Sequence, residues 1–283
     1  TVGQYSVGIV PRGYDPENPV GTGPFKLKTF DPGQSTVLEA NPDYTGDYPA
    51  SIQEITVTIS GDPMSHIQAL QNQEVHLVQP QATPDTLRAL EDLGDMVGIF
   101  TGDGPTYEHI DVIFDNGGPF DPETYGGDAD IARDVRHAFL NLVPREEIVD
   151  LQVRPINPEA EVRHSYTQVP GSPDYDQMLE ANQMAETWPV ETDLDAAVEL
   201  IENAGVETPI PVRFMYDPSN PRRSSIYELT RESVEREGLF ELIDAGDVNW
   251  GSLLADTTIY DASLFGWQST STAVGASSAN YIT

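Results

Sequence analysis

Glycine and proline divide this chain into short segments, and no other sequence feature limits its possible folds as strongly. The 283 residues contain 23 Gly and 23 Pro. Proline interrupts helices and central strands, and glycine favours turns, so the helices and strands between them are expected to be short. There is no internal repeat and no long low-complexity tract. The sequence therefore predicts a globular chain of short elements.

The N-terminal part of the chain alternates between strand and helix patterns. In order, the predicted elements are a hairpin (residues 25–30 and 36–39), a strand (52–59), a helix from Asp62, a strand (75–78), a helix from Thr83 and a strand (97–100). Proline follows both Asp62 and Thr83, which is typical of a helix N-terminus. Alternating strands and helices predict an α/β protein.

The remaining chain continues this alternation after an acidic loop. The predicted elements are a strand (109–114), a glycine-rich acidic loop to residue 130, helices at 131–142 and from Pro144, a polar loop-rich stretch (152–190), a helix from Asp193 to Gly205, a strand (210–216), a helix (222–236) and a strand (262–267). Apolar residues recur at helical spacing between Ile131 and Leu142. The acidic loop marks the predicted boundary between two lobes.

Composition excludes several classes of function. The chain carries 47 acidic and 14 basic residues, a net charge of −33. It therefore lacks the basic face that binding to nucleic-acid phosphates or to an anionic membrane surface needs. A hydrophobic content of 38% is sufficient for a core, and no apolar run is long enough to span a membrane. The absence of cysteine excludes disulfides and thiol chemistry.

No motif predicts catalysis or a resident cofactor. The five histidines lack the spacing that places two imidazoles on one helix face, and the glycine pairs lack a phosphate-loop or dinucleotide pattern. No serine lies in a Gly-x-Ser-x-Gly elbow. The acidic stretch 115–130 offers oxygen ligands for calcium, but its spacing does not match a helix–loop–helix calcium site. A solvated hinge loop explains this stretch equally well.

Three neighbouring motifs resemble a known family. They are PVGTGPFKL at 19–27, PGQS at 32–35 and LEANPDY at 38–44. This run closely resembles the signature of the extracellular solute-binding proteins of oligopeptide, dipeptide and nickel ABC importers, known as solute-binding protein family 5. Three later stretches agree with the family in order, at 135–149, 195–205 and 260–267. The resemblance covers residues 4–267.

The resemblance implies a two-lobed α/β fold of the periplasmic-binding-protein class (class II), incomplete in this chain. Residues 1–112 would form part of the first, larger lobe and 113–283 most of the second. The implied function is non-enzymatic: a short peptide or similar polar solute is captured between the lobes and delivered to the permease subunits of an ABC importer, without a cofactor. A sensor or hydrolase on the same scaffold is the alternative, because fold does not fix function.

The resemblance also implies an extracytoplasmic location, either periplasmic or on the cell surface. No signal peptide follows Thr1. The chain is therefore either cytosolic or preceded by a missing segment, and the resemblance favours a missing segment that carries an export signal. Membrane attachment would occur only through a lipid anchor outside this chain.

Candidate ligand residues follow from the resemblance. Trp267 corresponds to a cleft-lining tryptophan, although packing at a strand end is the alternative. Peptide-binding members have an aspartate three residues later that pairs with the ligand ammonium, whereas this chain has Thr270. Gln268, Ser269 and Thr270 offer amide and hydroxyl groups, which suit a neutral polar ligand or a peptide backbone.

The segment around Tyr216 gives three further candidates. Dipeptide-specific members have an arginine directly before a Tyr-x-Pro sequence, but here Met215 precedes Tyr216 and Arg213 is only nearby. This departure argues against the dipeptide subclass, although Tyr216 remains a candidate. Arg222 and Arg223 could bind a ligand carboxylate in bidentate fashion. Alternatively, both are ordinary surface arginines of a helix and do not contact the ligand.

Overall fold

The computed structural model describes residues 10–268, except residues 17, 103, 105, 166, 167, 169 and 189. The chain divides into two compact units. The first consists of the chain up to Gln81 together with Arg88–Gly98, and the second of Ala82–Leu87 together with the chain from Ile99 onward. The predicted boundary between the lobes of the whole protein, at residues 112 and 113, stays a prediction.

The first unit contains an antiparallel three-stranded sheet in the order β1-β2-β3. Its elements are β1 (Phe25–Asp31), β2 (Ser35–Ala40), β3 (Glu54–Thr58) and α1 (Pro63–Gln71). The predicted hairpin, third strand and helix are confirmed. Asp62 caps α1, because its carboxylate accepts a hydrogen bond from Met64 N at 3.0 Å. The helix begins at Pro63, where the missing N–H of proline costs nothing.

The strands predicted at 75–78 and 97–100 are wrong. Both segments are irregular in the structure. Their apolar pattern matched a buried strand, but Leu77 and Phe100 are exposed. A strand exists only where a neighbouring strand accepts its backbone hydrogen bonds, and the described residues supply no such neighbour to either segment.

The second unit contains a four-stranded sheet in the order β4-β7-β5-β6. Its strands are β4 (Thr106–Val112), β5 (Ile210–Met215), β6 (Phe240–Asp244) and β7 (Ala262–Gln268). β4 runs antiparallel to β7, whereas β5 is parallel to both β6 and β7. The strands predicted at 109–114, 210–216 and 262–267 are confirmed within a few residues, and β6 was not predicted.

Helices pack on this sheet and share the described core with its strands. They are α3 (Ala129–Asn141), α4 (Arg145–Gln152), α5 (Tyr175–Asn182), α6 (Met184–Thr187), α7 (Leu194–Ala204), α8 (Pro221–Val234) and α9 (Trp250–Leu253). A further helix, α2 (Pro84–Glu91), begins at the predicted Thr83-Pro84. The apolar positions of α3 point inward, and Val135 and Phe139 are fully buried. Helices α5 and α6 occupy the stretch predicted as mostly loop, so that prediction was wrong in part.

A buried carboxylate joins β7 to β5. Both Asp261 oxygens accept from the Arg213 guanidinium, at 2.9 Å from Nε and 2.6 Å from Nη2. Arg213 N donates to the same carboxylate at 2.8 Å, and Asn116 Nδ2 donates to it at 3.1 Å. Gly118 leaves room for this cluster, since a Cβ there would collide with Asp261 Oδ1. The cluster fixes where β7 begins relative to the end of β5.

Candidate functional site

One of the two edges of strand β7 is only partly paired with a neighbouring strand. On one side β7 pairs with β4 over its full length, from Ala262 opposite Val112 to Gln268 opposite Thr106. On the other side β5 reaches only Ala262 and Ser263. Residues 264–268 therefore present an edge that pairs with no strand among the described residues; we call this segment the free edge. Leu264 and Phe265 in this segment are buried, whereas Gly266 and Trp267 are half-buried. Backbone donors and acceptors at the outer end of such an edge can pair with another extended chain.

The free edge lies where ligands commonly bind in α/β sheets. It extends past the carboxyl end of β5, and the chain that leaves β5 leads into α8. The carboxyl ends of parallel strands, where neighbouring connections diverge, form crevices between the loops. The sheet topology alone therefore points to this place.

Aromatic rings surround Trp267 on one face of β4 and β7. Trp267 is half-buried and pairs across the strands with Tyr107. Its ring meets that of Phe265 edge-on at 5.3 Å between centroids. The Phe265 ring in turn contacts His109 at 4.4 Å and Trp250 at 5.9 Å. This packing fixes the orientation of Trp267 and leaves part of its surface accessible to a ligand.

The two candidate arginines at the start of α8 have different surroundings. Arg223 is buried; its Nε and Nη2 lie 3.3 and 3.4 Å from the Glu108 carboxylate, and its guanidinium lies 4.7 Å from the ring centre of Trp250. Arg222 is half-buried, and its Nη2 donates to the carbonyl of Ala82. Burial lowers the pKa of Arg222, Glu108 opposes this shift, and Arg223 adds to it.

Tyr216 lies in the interior of the second unit. Its ring stacks on Tyr227 at 4.7 Å, and its hydroxyl donates to Asp244 Oδ2 at 3.4 Å. Burial, with a smaller contribution from Asp244, raises the pKa of Tyr216 to about 12. Nothing in these contacts brings Tyr216 to the free edge, and its assignment as a ligand residue stays a prediction.

The remaining candidates follow the described part of β7. The backbone of Gln268 pairs with Thr106 at the end of the strand. Ser269 and Thr270 lie outside the described residues, so their roles stay predictions. The structure thus places Trp267, the Gln268 backbone and Arg223 in one neighbourhood, through the β4–β7 ladder and the contact of Arg223 with Glu108.

Sequence reasoning missed Glu108, Trp250 and Tyr107. Glu108 and Tyr107 lie just before the segment that the β pattern singled out, and Trp250 lies in a four-residue helix without its own hydrophobic period. The one available signal was that Glu108 and Tyr107 continue the predicted strand by two residues. Their contacts with α8 and β7 are long-range and leave no local pattern.

The acidic stretch 115–130 uses its side chains for turns and helix caps. Asp121 accepts from Gly117 N and Glu123 N, at 2.7 and 2.9 Å, and Asp128 caps α3. Within the described part of the chain, no three His, Cys, Asp or Glu residues converge in a way that could hold a metal ion. None of the described helices has the length and apolar character needed to cross a bilayer.

Comparison with known families gives a match over almost the whole chain. The model for bacterial extracellular solute-binding proteins, family 5 (middle), matches residues 6–281. Among curated proteins, the probable D,D-dipeptide-binding periplasmic protein DdpA of Escherichia coli K12 is 36% identical over 81 residues, which is 28% of this chain and 15% of DdpA.

Solved structures of similar fold are also binding proteins. The periplasmic EDTA-binding protein EppA superposes with a TM-score of 0.71 at 20% identity, over 90% of this chain and 47% of EppA. DppA of Helicobacter pylori, in complex with the peptide STSA, gives 0.65 at 18% identity, over 89% of this chain and 44% of DppA. The oligopeptide-binding protein of Thermus thermophilus, complexed with a pentapeptide, gives 0.58 at 19%, over 87% and 43%. The chain spans less than half the length of each, and the likeness confirms the predicted periplasmic-binding-protein fold.

Proposed function

Because the chain belongs to the bacterial extracellular solute-binding proteins of family 5, we propose that it captures a short peptide or a similar polar solute for an ABC importer. The solute would be enclosed between two lobes of the whole protein and delivered to the permease subunits of the membrane complex. The family and the solved structures similar to this chain are binding proteins rather than enzymes. The proposal therefore includes no chemical step.

The observation that carries the proposal is the free edge of β7. Five consecutive residues, 264–268, extend beyond the last pair with β5; Leu264 and Phe265 are buried, so the partly exposed portion of the edge begins at Gly266. An extended peptide that lay beside this edge would add a strand to the sheet, with its backbone donors and acceptors paired to those of β7. Backbone pairing supplies affinity without reading side chains, which suits a protein that takes peptides of varied sequence.

The side chains around the free edge suit such a ligand. The accessible part of Trp267 offers an apolar surface to a ligand side chain, and the ring is held by Phe265. We propose Gln268, Ser269 and Thr270 as polar partners of the ligand, from the family resemblance. Arg222 and Arg223 are proposed as the basic residues of the same site, and Tyr216 remains a proposal on resemblance alone.

We further propose that the protein works outside the cytoplasm. DdpA and EppA are periplasmic by name, and the matching family is extracellular. The strongly acidic surface keeps such a protein soluble at high concentration. Attachment to a membrane, where it occurs, would use a lipid anchor outside this chain. Fractionation that found the intact protein in the cytosol would contradict this location.

The proposal is tested by calorimetry on the full-length protein with short peptides and, in parallel, with small sugars. We expect peptides to bind and N-methylated peptides of the same sequence to bind about tenfold more weakly, since each methyl group removes a backbone donor. Trp267→Ala should weaken peptide binding by about tenfold or more. Trp188→Ala is the matched control, because Trp188 is another half-buried tryptophan and packs on His137 at 4.3 Å. Binding of sugars but not peptides would contradict the proposal.

Thr270 gives a second test of the same site. A carboxylate that faces the ligand ammonium contributes about 1.5–3 kcal/mol, whereas a hydroxyl contributes about 0.5–1.5 kcal/mol. The wild-type protein should therefore discriminate poorly between a peptide and its N-acetylated form. Thr270→Asp should restore a preference for the free amine. If the wild type already rejects the acetylated peptide by about tenfold, another carboxylate binds the ammonium and the alignment after Trp267 is wrong.

A further inference from the structure

Strand β6 is the last strand of its sheet, and its outer edge pairs with no strand among the described residues. In the order β4-β7-β5-β6, its one neighbouring strand is β5. Glu241, Ile243 and Asp244 are exposed, so another molecule can approach this strand. An exposed edge strand is a template on which a second copy of the same chain can form a continuous sheet.

Alternate residues of β6 direct their backbone groups to opposite edges of the strand. At one end of the pairing with β5, Ile210 N donates to the carbonyl of Leu239 at 2.9 Å. At the other end, Ala245 N donates to the carbonyl of Phe214 at 3.0 Å. Leu239 and Ala245 therefore face β5, as do the odd-numbered residues between them. The even-numbered residues face the outer edge, with Leu242 in the middle.

Side chains from the end of α8 already bond both backbone groups of Leu242. Leu242 N donates to Glu235 Oε1 at 3.2 Å, and the Tyr227 hydroxyl donates to the Leu242 carbonyl at 3.3 Å. Tyr227 is a buried residue of α8, and Glu235 directly follows the last residue of that helix. A strand that paired with the middle of the outer edge would have to displace both contacts, which makes this pairing unfavourable.

The position of Glu235 is unfavourable for a carboxylate unless it has a specific partner. Glu235 is the C-terminal cap residue of α8, at the end of the helix that carries partial negative charge. The return to β6 is tight, since Glu237 and Gly238 both have left-handed backbone conformations, with φ of 54° and 66°. This return brings Glu235 next to Leu242, only seven residues further along the chain. The contact with Leu242 N gives a physical reason for the carboxylate at this position.

The sequence of β6 does not by itself prevent self-pairing. In an antiparallel pair of two β6 strands centred on Leu242, Glu241 of one copy would lie opposite Ile243 of the other. Like charges would then not face each other directly across the pair. The net charge of −33 opposes association of two copies in general, but salt screens this repulsion. Closure of the edge must therefore come from the contacts at Leu242.

We propose that Glu235 and Tyr227 close the outer edge of β6 and thereby prevent the protein from pairing with a second copy of itself through this strand. Both side chains bond backbone groups that no neighbouring strand uses. Their role at this edge is independent of solute binding, so its test needs no ligand.

The experiment is sedimentation velocity on the full-length protein over a range of concentrations, at about 0.15 M and about 1 M salt, where the higher salt screens the repulsion between copies. We expect no association of the wild type through β6. Tyr227→Phe combined with Glu235→Ala removes both contacts and should associate at least about tenfold more tightly than the wild type. Hydrogen exchange identifies the interface, because the outward-facing amides of Phe240 and Asp244 should become protected as this double variant associates.

Two control variants distinguish closure of the edge from loss of a negative charge. Glu235→Gln loses the charge but keeps an acceptor oxygen for Leu242 N, so it should behave like the wild type. Glu232→Ala removes the same charge from an exposed position of α8 and should also behave like the wild type. A folded double variant that stays monomeric at both salt concentrations, or a wild type that associates through β6, would overturn the proposal. If circular dichroism shows that the double variant is unfolded, Glu235→Ala alone decides by the same criteria.

Discussion

The two units of this chain differ sharply in how much of their apolar surface is buried. In the first unit, Ile67 is the only buried residue among those the structure describes. In the second unit, the sheet and its helices enclose a continuous core around Phe139 and Phe214. Both units contain well-formed strands, so strand formation and core formation have separate requirements.

The sheet of the first unit has an apolar face that no second layer covers among the described residues. Leu27, Leu38 and Ile55 lie side by side across β1, β2 and β3, so the apolar residues share one face. Phe30 and Val57 on the same face are exposed. A sheet face becomes a core only when a second layer packs on it. In the second unit α3, α7 and α8 provide that layer, and the described part of the first unit has no comparable cover.

Removal of one phenylalanine side chain from each unit should give the largest difference between the units in lost free energy of unfolding. Phe139→Ala should lower the free energy of unfolding by about 3–5 kcal/mol, because Phe139 is fully buried against Phe120 and Phe240. Phe30→Ala should cost at most about 0.5 kcal/mol, since Phe30 is 61% exposed. Urea unfolding followed by circular dichroism measures both. Similar losses would show that Phe30 is buried in solution and would remove the contrast.

Loss of one carboxylate from each unit should give the next largest contrast. Asp261→Ala leaves the Arg213 guanidinium without its buried partner and should cost about 3 kcal/mol. Asp43→Ala breaks the exposed contact with Lys26 and should cost between about 0 and 1 kcal/mol. The same urea experiment applies. A small effect of Asp261→Ala would mean that the contact between Arg213 and Asp261 is not needed for the fold.

Alkaline pH should destabilise the second unit through its stacked tyrosines. Burial raises the pKa of Tyr216 and Tyr227 to about 12, above the ordinary value of about 10. The folded state thus favours the neutral phenols. Their contribution is complete below about pH 10 and is lost as the pH rises through about 12. Ultraviolet titration should show these two phenols ionising after the others, together with unfolding. If all tyrosines ionise in a single step near pH 10 in both the wild type and Tyr216→Phe, the predicted late ionisation of Tyr216 and Tyr227 is wrong.

Removal of one helix cap from each unit should give the smallest difference between the units in lost free energy of unfolding. Asp193 caps α7 and Asp62 caps α1, each through one backbone N–H at 3.0 Å. Asp193→Ala should lower the unfolding free energy of the second unit by about 1 kcal/mol. Asp62→Ala should fray α1 and leave the unfolding of the second unit unchanged. Asn at either position preserves the cap and serves as the control. Hydrogen exchange of the helix amides distinguishes local fraying from global loss, and equal global losses would contradict the separation of the units.

Short-range features were predictable because their causes lie within a few residues. The Asp62-Pro63 start of α1 and the Asp193 to Gly205 limits of α7 depend on hydrogen bonds that span two to four residues. The spacing of Val135 and Phe139 likewise identified the buried face of α3. The family motifs at 19–44 predicted the fold class, which the structure and the family match confirm.

Long-range features were decided only by the tertiary structure. Residues 75–78 have a strand pattern but no partner, whereas β6 forms because Phe240 and Leu242 pair with Ile210 and Val212. The candidate site shows the same limit: Glu108 and Arg223 lie 115 residues apart in sequence and meet only when β4 and α8 pack together. The free edge of β7 exists because β5 ends earlier than β7, which depends on where Arg213 meets Asp261. Sequence thus determined which segments could be strands and helices, and packing decided which were paired, buried or left without a strand partner.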